Sequence, residues 1–133
     1  MPVLLDTTVL IDALRGGRAA ARIVALRQNG ELPYTCAINV EEIVRGLKPD
    51  EQDITDALFR GLRIVPLGST EGERAGRWRR LFSAKGITLS QAGCLTAAAA
   101  VTAGARLATA NVKDYPMAEL VVEHWPMGRR QSA

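Results

Sequence analysis

Aromatic residues make up only 5% of the 133 positions. That scarcity argues against the stacking platforms by which single-stranded nucleic acid is held on ring faces. Two cysteines and one histidine are too few for a usual zinc site. Cys36 and Cys94 both fall in apolar runs and read as buried, reduced thiols rather than a disulfide. No hydrophobic run is long enough to span a bilayer. The longest, around Leu95 to Ala108, is alanine-rich and broken by Thr102, Gly104 and Arg106. The N-terminus lacks a basic segment followed by an apolar one, so no signal peptide is expected. No Gly-rich phosphate loop of either common kind is present, which argues against a P-loop or nucleotide-binding Rossmann enzyme. His124 stands near the C-terminus and is a poor general base, which argues against a histidine-driven ribonuclease. The expectation is a soluble cytoplasmic protein.

A hydrophobic content of 47% supports one compact domain with a real core, expected over residues 1–126 and followed by a polar, frayed tail over 127–133. The net charge of +3 and pI near 9.2 are compatible with a nucleic-acid partner without establishing one. Short apolar runs at 2–5, 32–37, 62–65, 106–109 and 121–125 read as strands. Helical spacing lies between them: Val9, Leu10, Ala13 and Leu14 before Gly16-Gly17, then 18–28, and a helix from Val40 with Asn39 as its cap. A short helix follows over 54–59. Thr70 with Glu73 reads as a capping box for a helix reaching about Ala84, and Ser90 caps another that runs to about Thr102. Strands alternating with helices argue for an α/β three-layer sandwich with a mostly parallel sheet. Right-handed crossovers then open every strand's C-terminal end on one side.

On that side fall three carboxylates. Asp6 closes the first strand, Glu42 or its neighbour Glu41 lies in the first turn of the Asn39 helix, and Asp114 follows the strand ending at Thr109. Clustered carboxylates at strand ends are suited to a hard divalent cation. Two such ions would bind a phosphate, activate water and stabilise the leaving oxygen. Each acid also has a plainer reading. Asp6 caps a helix well, although Thr7 and Thr8 serve equally. Glu41 and Glu42 both favour a helix N-terminus, and periodicity does not separate them. Asp114 suits a turn before Tyr115-Pro116. Asp12 reads as solvent-facing. Arg45, Arg77, Arg79 and Arg80 read as solvated helix faces, and Trp78 and Trp125 as core or interface.

Four segments resemble, in order, the motifs of PIN-domain ribonucleases: Val3-Leu4-Leu5-Asp6-Thr7-Thr8-Val9-Leu10-Ile11-Asp12, Ile38 to Leu47, Gly86 to Leu95, and Leu107 to Tyr115. The resemblance covers roughly residues 2–125, and the short length is similar to the VapC-type toxins of toxin–antitoxin pairs. It implies a PIN-like sandwich and a Mg2+- or Mn2+-dependent endoribonuclease acting on structured RNA such as tRNA or rRNA. It also implies a homodimer and a VapB-type antitoxin. It assigns the second acid to Glu42, makes Asp6, Glu42 and Asp114 the catalytic metal ligands, and gives Thr7, Thr109 and Asn111 supporting roles.

The chain departs from that family at Gly93, where the pattern has a metal-binding aspartate. Glycine has no ligand atoms, and it disfavours a helix by up to about 1 kcal/mol relative to alanine, so local propensity does not account for it. Three origins fit: a natural weakened member, an engineered inactive form, or a loss-of-function variant selected because the active toxin kills its host. The intact remaining motifs favour the last two. The expectation is impaired cleavage with the fold retained. The alternative is a catalytically dead PIN-type module that binds antitoxin or RNA. A receiver-like signalling domain would need an acid beside Asp6, which is lacking.

Overall fold

The computed structural model describes residues 1–128. Its described elements run β1 (Val3–Leu5), α1 (Thr7–Leu14), α2 (Arg18–Gln28), β2 (Tyr34–Cys36), α3 (Ala37–Arg45), α4 (Gln52–Arg60), β3 (Arg63–Val65), α5 (Ser69–Ser83), α6 (Gln91–Thr102), β4 (Arg106–Thr109) and β5 (Val122–His124). Single 3-10 turns stand at Pro49–Glu51 and Val112–Asp114. The five strands order as β3-β2-β1-β4-β5, and every pairing is parallel.

β1 is central, which is why it is apolar at all three positions. Alternation sends its side chains to opposite faces. Leu4 packs with Leu107, Trp78, Cys94 and the alanines Ala97–Ala100 of α6. Val3 and Leu5 pack with Val9, Leu10, Ala19 and Ile23 of α1 and α2. The fold is therefore an α/β three-layer sandwich, as the alternation of elements implied. Ala97, Ala98, Ala99 and Ala100 are fully buried, and such small side chains let α6 lie close on the sheet. Cys36 and Cys94 are free and buried, and burial pushes both thiols above their ordinary pKa. Trp78 and Trp125 belong to the core.

Strand order fixes where a site can form. From β1 the chain moves one way to β2 and β3, and later returns to the other side of β1 as β4. The two directions part between β1 and β4, and a crevice opens beyond their carboxyl ends. The backbone N–H of Asp6 donates to the Ala108 carbonyl at 3.1 Å, so Asp6 sits at the mouth of that crevice.

Several helix starts differ from those read in the sequence. α3 begins three residues early, at Ala37 with Cys36 as its cap, so Asn39 lies inside the first turn. α5 starts at Ser69 after Gly68, and it is Glu71, not Glu73, whose carboxylate accepts from the Gly68 N–H at 2.6 Å. Asp12 is buried rather than solvent-facing: it accepts from the Ala19 N–H at 3.0 Å and the Gly128 N–H at 3.2 Å. Through that second bond the start of the expected tail is tied to α1. Residues 129–133 of the tail lie outside the described residues. No described helix is long and apolar enough to cross a membrane.

Candidate active site at the carboxyl edge of the sheet

Asp6, Glu42 and Asp114 line one open pocket of about 210 Å3, together with Thr7, Thr8, Asn39, Ser90, Gly93, Thr96 and Tyr115. Asp6 is 3% exposed. It caps α1: Oδ1 accepts from the Val9 N–H at 3.2 Å and from the Thr8 hydroxyl at 2.5 Å. Oδ2 accepts from the Tyr115 hydroxyl at 3.0 Å. Asp6 thus caps α1 and lines the pocket in one geometry, and Thr7 and Thr8 are not the cap.

Glu42 faces the pocket, and the Thr7 hydroxyl donates to its Oε1 at 2.7 Å. Glu41 does not line the pocket and its side chain is half exposed, while Arg45 stands 3.7 Å from Glu41 and 4.0 Å from Glu42. The pocket lining therefore separates two neighbouring acids that spacing alone left equivalent. Asp114 stands at the exposed end of the 3-10 turn after β4.

Beneath Thr7 and Glu42 lies a buried polar network that the sequence does not announce. The Asn39 amide donates to the hydroxyls of Thr7 at 3.1 Å and Thr96 at 3.2 Å. Its oxygen accepts from the Cys36 N–H at 3.2 Å and lies 3.1 Å from the Thr35 hydroxyl, which shares its one hydrogen with the Leu5 carbonyl at 2.8 Å. Thr96 in turn donates to the Ala92 carbonyl of its own helix at 2.9 Å, and the two Asn39 amide bonds link α3 to α6 and α1.

Tyr115 is a second residue with no sequence signal for its role. Its phenol is pushed well above its ordinary pKa of 10, first by burial, then by the charge and hydrogen bond of Asp6, then by Asp114 and Glu42. All three acids therefore act on the one hydroxyl.

Thr109 and Asn111 stand outside the pocket lining. The buried Thr109 hydroxyl accepts from the Asn111 N–H at 3.0 Å and so shapes the turn that leads to Asp114. Asn111 itself is exposed.

The pocket wall formed by α6 begins at Ser90, whose hydroxyl caps the helix by accepting from the Gly93 N–H at 3.0 Å. A Cβ on residue 93 would stand 2.7 Å from that hydroxyl and 3.8 Å from the Tyr115 ring. The serine oxygen is the end of an exposed, rotatable side chain, so it can move aside. An acid at this third helical position would also be favoured by the helix N-terminus.

Oxygen ligands of this kind suit a hard cation such as Mg2+ or Mn2+. Yet among the described residues no three His, Cys, Asp or Glu side chains close tightly enough to hold an ion. The donor type fits such a metal, while the three acids by themselves do not draw together into a closed shell.

Residues 3–115 match the model of the PIN domain family. This chain is a PIN domain. It is 30% identical over 115 residues to Ribonuclease VapC19 of Mycobacterium tuberculosis, covering 86% of this chain and 92% of that protein. It is also 30% identical over 118 residues to Ribonuclease VapC10 of the same organism, covering 88% of each. VapBC2 from Rickettsia felis, solved bound to a DNA fragment from its promoter, aligns with a TM-score of 0.82 at 22% identity, covering 94% of this chain and 99% of that one. DNA-bound VapBC from Salmonella typhimurium aligns at 0.80 and 17% identity, covering 94% and 98%. At such identities the structural matches carry the fold alone. The sequence matches carry the family, and this PIN domain is of the VapC ribonuclease-toxin type.

Proposed function

We propose that this PIN domain is an endoribonuclease whose chemistry depends on Mg2+ or Mn2+, and that Gly93 impairs it. The observation that carries the reading is the meeting of Asp6, Glu42 and Asp114 on one pocket at the point where the strand order reverses. Those acids would hold the cation. Bound there, it would activate a water and stabilise the leaving oxygen of a phosphodiester. The chain's own groups keep the acids in place. Thr8, the Val9 N–H and Tyr115 fix both oxygens of Asp6, and Thr7 on Asn39 fixes Glu42.

The substrate is structured cellular RNA of the tRNA or rRNA kind, met in the cytoplasm, and the working form is a homodimer. Its natural inhibitor is a VapB-type antitoxin, a reading supported by the VapBC complexes among the structural neighbours.

A second reading is favoured by Gly93 and by the incomplete metal shell: a PIN module that binds antitoxin or RNA without cutting. The two part on one experiment. The chain and its Gly93→Asp variant are incubated with total cellular RNA and Mg2+ or Mn2+, with Asp6→Ala in the restored background as control. Cleavage gained in Gly93→Asp and abolished in the control supports the impaired nuclease. Full cleavage by the unaltered chain at low millimolar Mg2+ refutes the impairment. No cleavage by either form favours the binding module.

A further inference from the structure

A second cavity, of about 380 Å3, lies on the outer side of α5. Its cations are Arg74, Arg77 and Lys85, and its aromatic groups are Trp78 and Phe82. Its far wall is the segment Pro116–Glu119. Three features mark it as a site for an anion.

The first is charge. Three cations face one carboxylate, and that carboxylate, Glu119, already accepts from the Trp78 indole at 2.5 Å. Among the described residues no ion pair involves Arg74, Arg77 or Lys85.

The second is an unanswered donor. Arg74 Nε is buried and has no hydrogen-bond partner among the described residues. Buried donors are almost always satisfied, and a phosphate oxygen in the cavity would satisfy this one once the half-buried Arg74 side chain turns outward.

The third is preorganisation. The Arg74 guanidinium lies 6.0 Å from the Trp78 ring centre and the Lys85 ammonium 5.4 Å from that of Phe82. Ring faces attract cations at such distances and limit their wandering.

The cavity and the acid pocket are lined by neighbouring residues of one segment. Tyr115 lines the acid pocket and Pro116 the cavity. We infer that the α5 cavity is a subsite for RNA backbone phosphate, gripping the substrate beyond the position that is cut. The inference rests on the nuclease reading of the acid pocket and names how that substrate is held. An arginine fork matches phosphate oxygens in pairs, and a phosphate–cation pair carries no sequence information, so the subsite supplies grip rather than choice of sequence.

The test is a binding measurement in EDTA, which separates it from cleavage. Fluorescence anisotropy follows a labelled RNA hairpin titrated with the full chain over a range of salt. Arg77→Gln with Lys85→Gln is expected to weaken binding by about tenfold and to lower the salt slope by about one for each phosphate that is no longer neutralised. Arg27→Gln with Arg60→Gln removes the same charge from α2 and α4 and is expected to change affinity by less than about twofold, since the RNA backbone does not reach those helices. Glu119→Gln keeps an acceptor for Trp78 and removes the opposing charge, so it should tighten binding.

Equal weakening by the two double variants would overturn the subsite, as would unchanged affinity and slope in the first. Displacement of the RNA by polyglutamate as readily as by unlabelled RNA would also overturn it in favour of an acidic peptide. If the Arg77/Lys85 variant weakens RNA binding while Gly93→Asp never cleaves, the subsite stands and the nuclease reading falls. If Gly93→Asp cleaves and the double variant binds like the parent, the subsite falls alone.

Discussion

Replacing Asn39 with alanine should destabilise the fold by about 2–4 kcal/mol, and the figure follows from which partners are left without any bond. Asn39 is 1% exposed. The Thr7 hydroxyl would still donate to Glu42, Thr96 to the Ala92 carbonyl and Thr35 to the Leu5 carbonyl. Those three keep a partner and cost little. The Cys36 N–H is different, because its partner is the Asn39 oxygen and Cys36 is fully buried. An orphaned buried donor costs about 1–3 kcal/mol, and the void left by the carboxamide adds to it. The assay is urea unfolding, read at the midpoint with the slope unchanged. A loss below about 1 kcal/mol would refute the reasoning, since it would mean that water or a shifted α3 replaces the amide at no cost.

Three further outcomes are expected. Tyr115→Phe removes a phenol whose pKa rises on folding above the ordinary value of 10, so the associated stability is present below about pH 10 and lost as pH rises past it. The parent should therefore lose stability at alkaline pH with a slope that the variant lacks, checked by unfolding midpoints on either side of that value. Glu71 is held below the ordinary carboxylate range by the Gly68 N–H and the Thr102 hydroxyl, so its contribution is present above about pH 4.5 and lost as pH falls through the lower folded value. Glu71→Gln should flatten the acid limb of a stability–pH curve. Asp12→Ala strips the acceptor from the Ala19 and Gly128 N–H groups and should cost about 1–3 kcal/mol in thermal unfolding, with faster amide exchange at Gly128.

Much of this molecule is legible in its sequence, because the strong signals are local. Apolar runs of strand length, the Ser90 cap and the Gly104 stop all fall where the chain itself dictates. The three acids could be set on one side of the sheet because handed crossovers leave little choice. What stayed hidden depends on partners far along the chain. Asn39 reads as a cap because Asn favours that role, yet its amide reaches Thr7 and Thr96, which are 32 and 57 positions away. Tyr115 carries no local mark at all, since its partner Asp6 lies 109 positions earlier. Asp12 reads as exposed from helical periodicity alone, and only the fold brings the Ala19 and Gly128 amides to it. Glu42 could be preferred to Glu41 only through the family resemblance until the pocket lining took in the one and not the other.

The central claim is that Asp6, Glu42 and Asp114 hold a cation in a shell that Gly93 leaves open. The most direct test is calorimetric titration of Mn2+ into the purified chain, into Gly93→Asp, and into Gly93→Asp with Asp6→Ala. The claim predicts weak binding by the chain, binding tighter by at least about tenfold, or ~1.4 kcal/mol, in Gly93→Asp, and disappearance of that gain when Asp6 is removed. Equal Mn2+ affinity in the chain and in Gly93→Asp would contradict it.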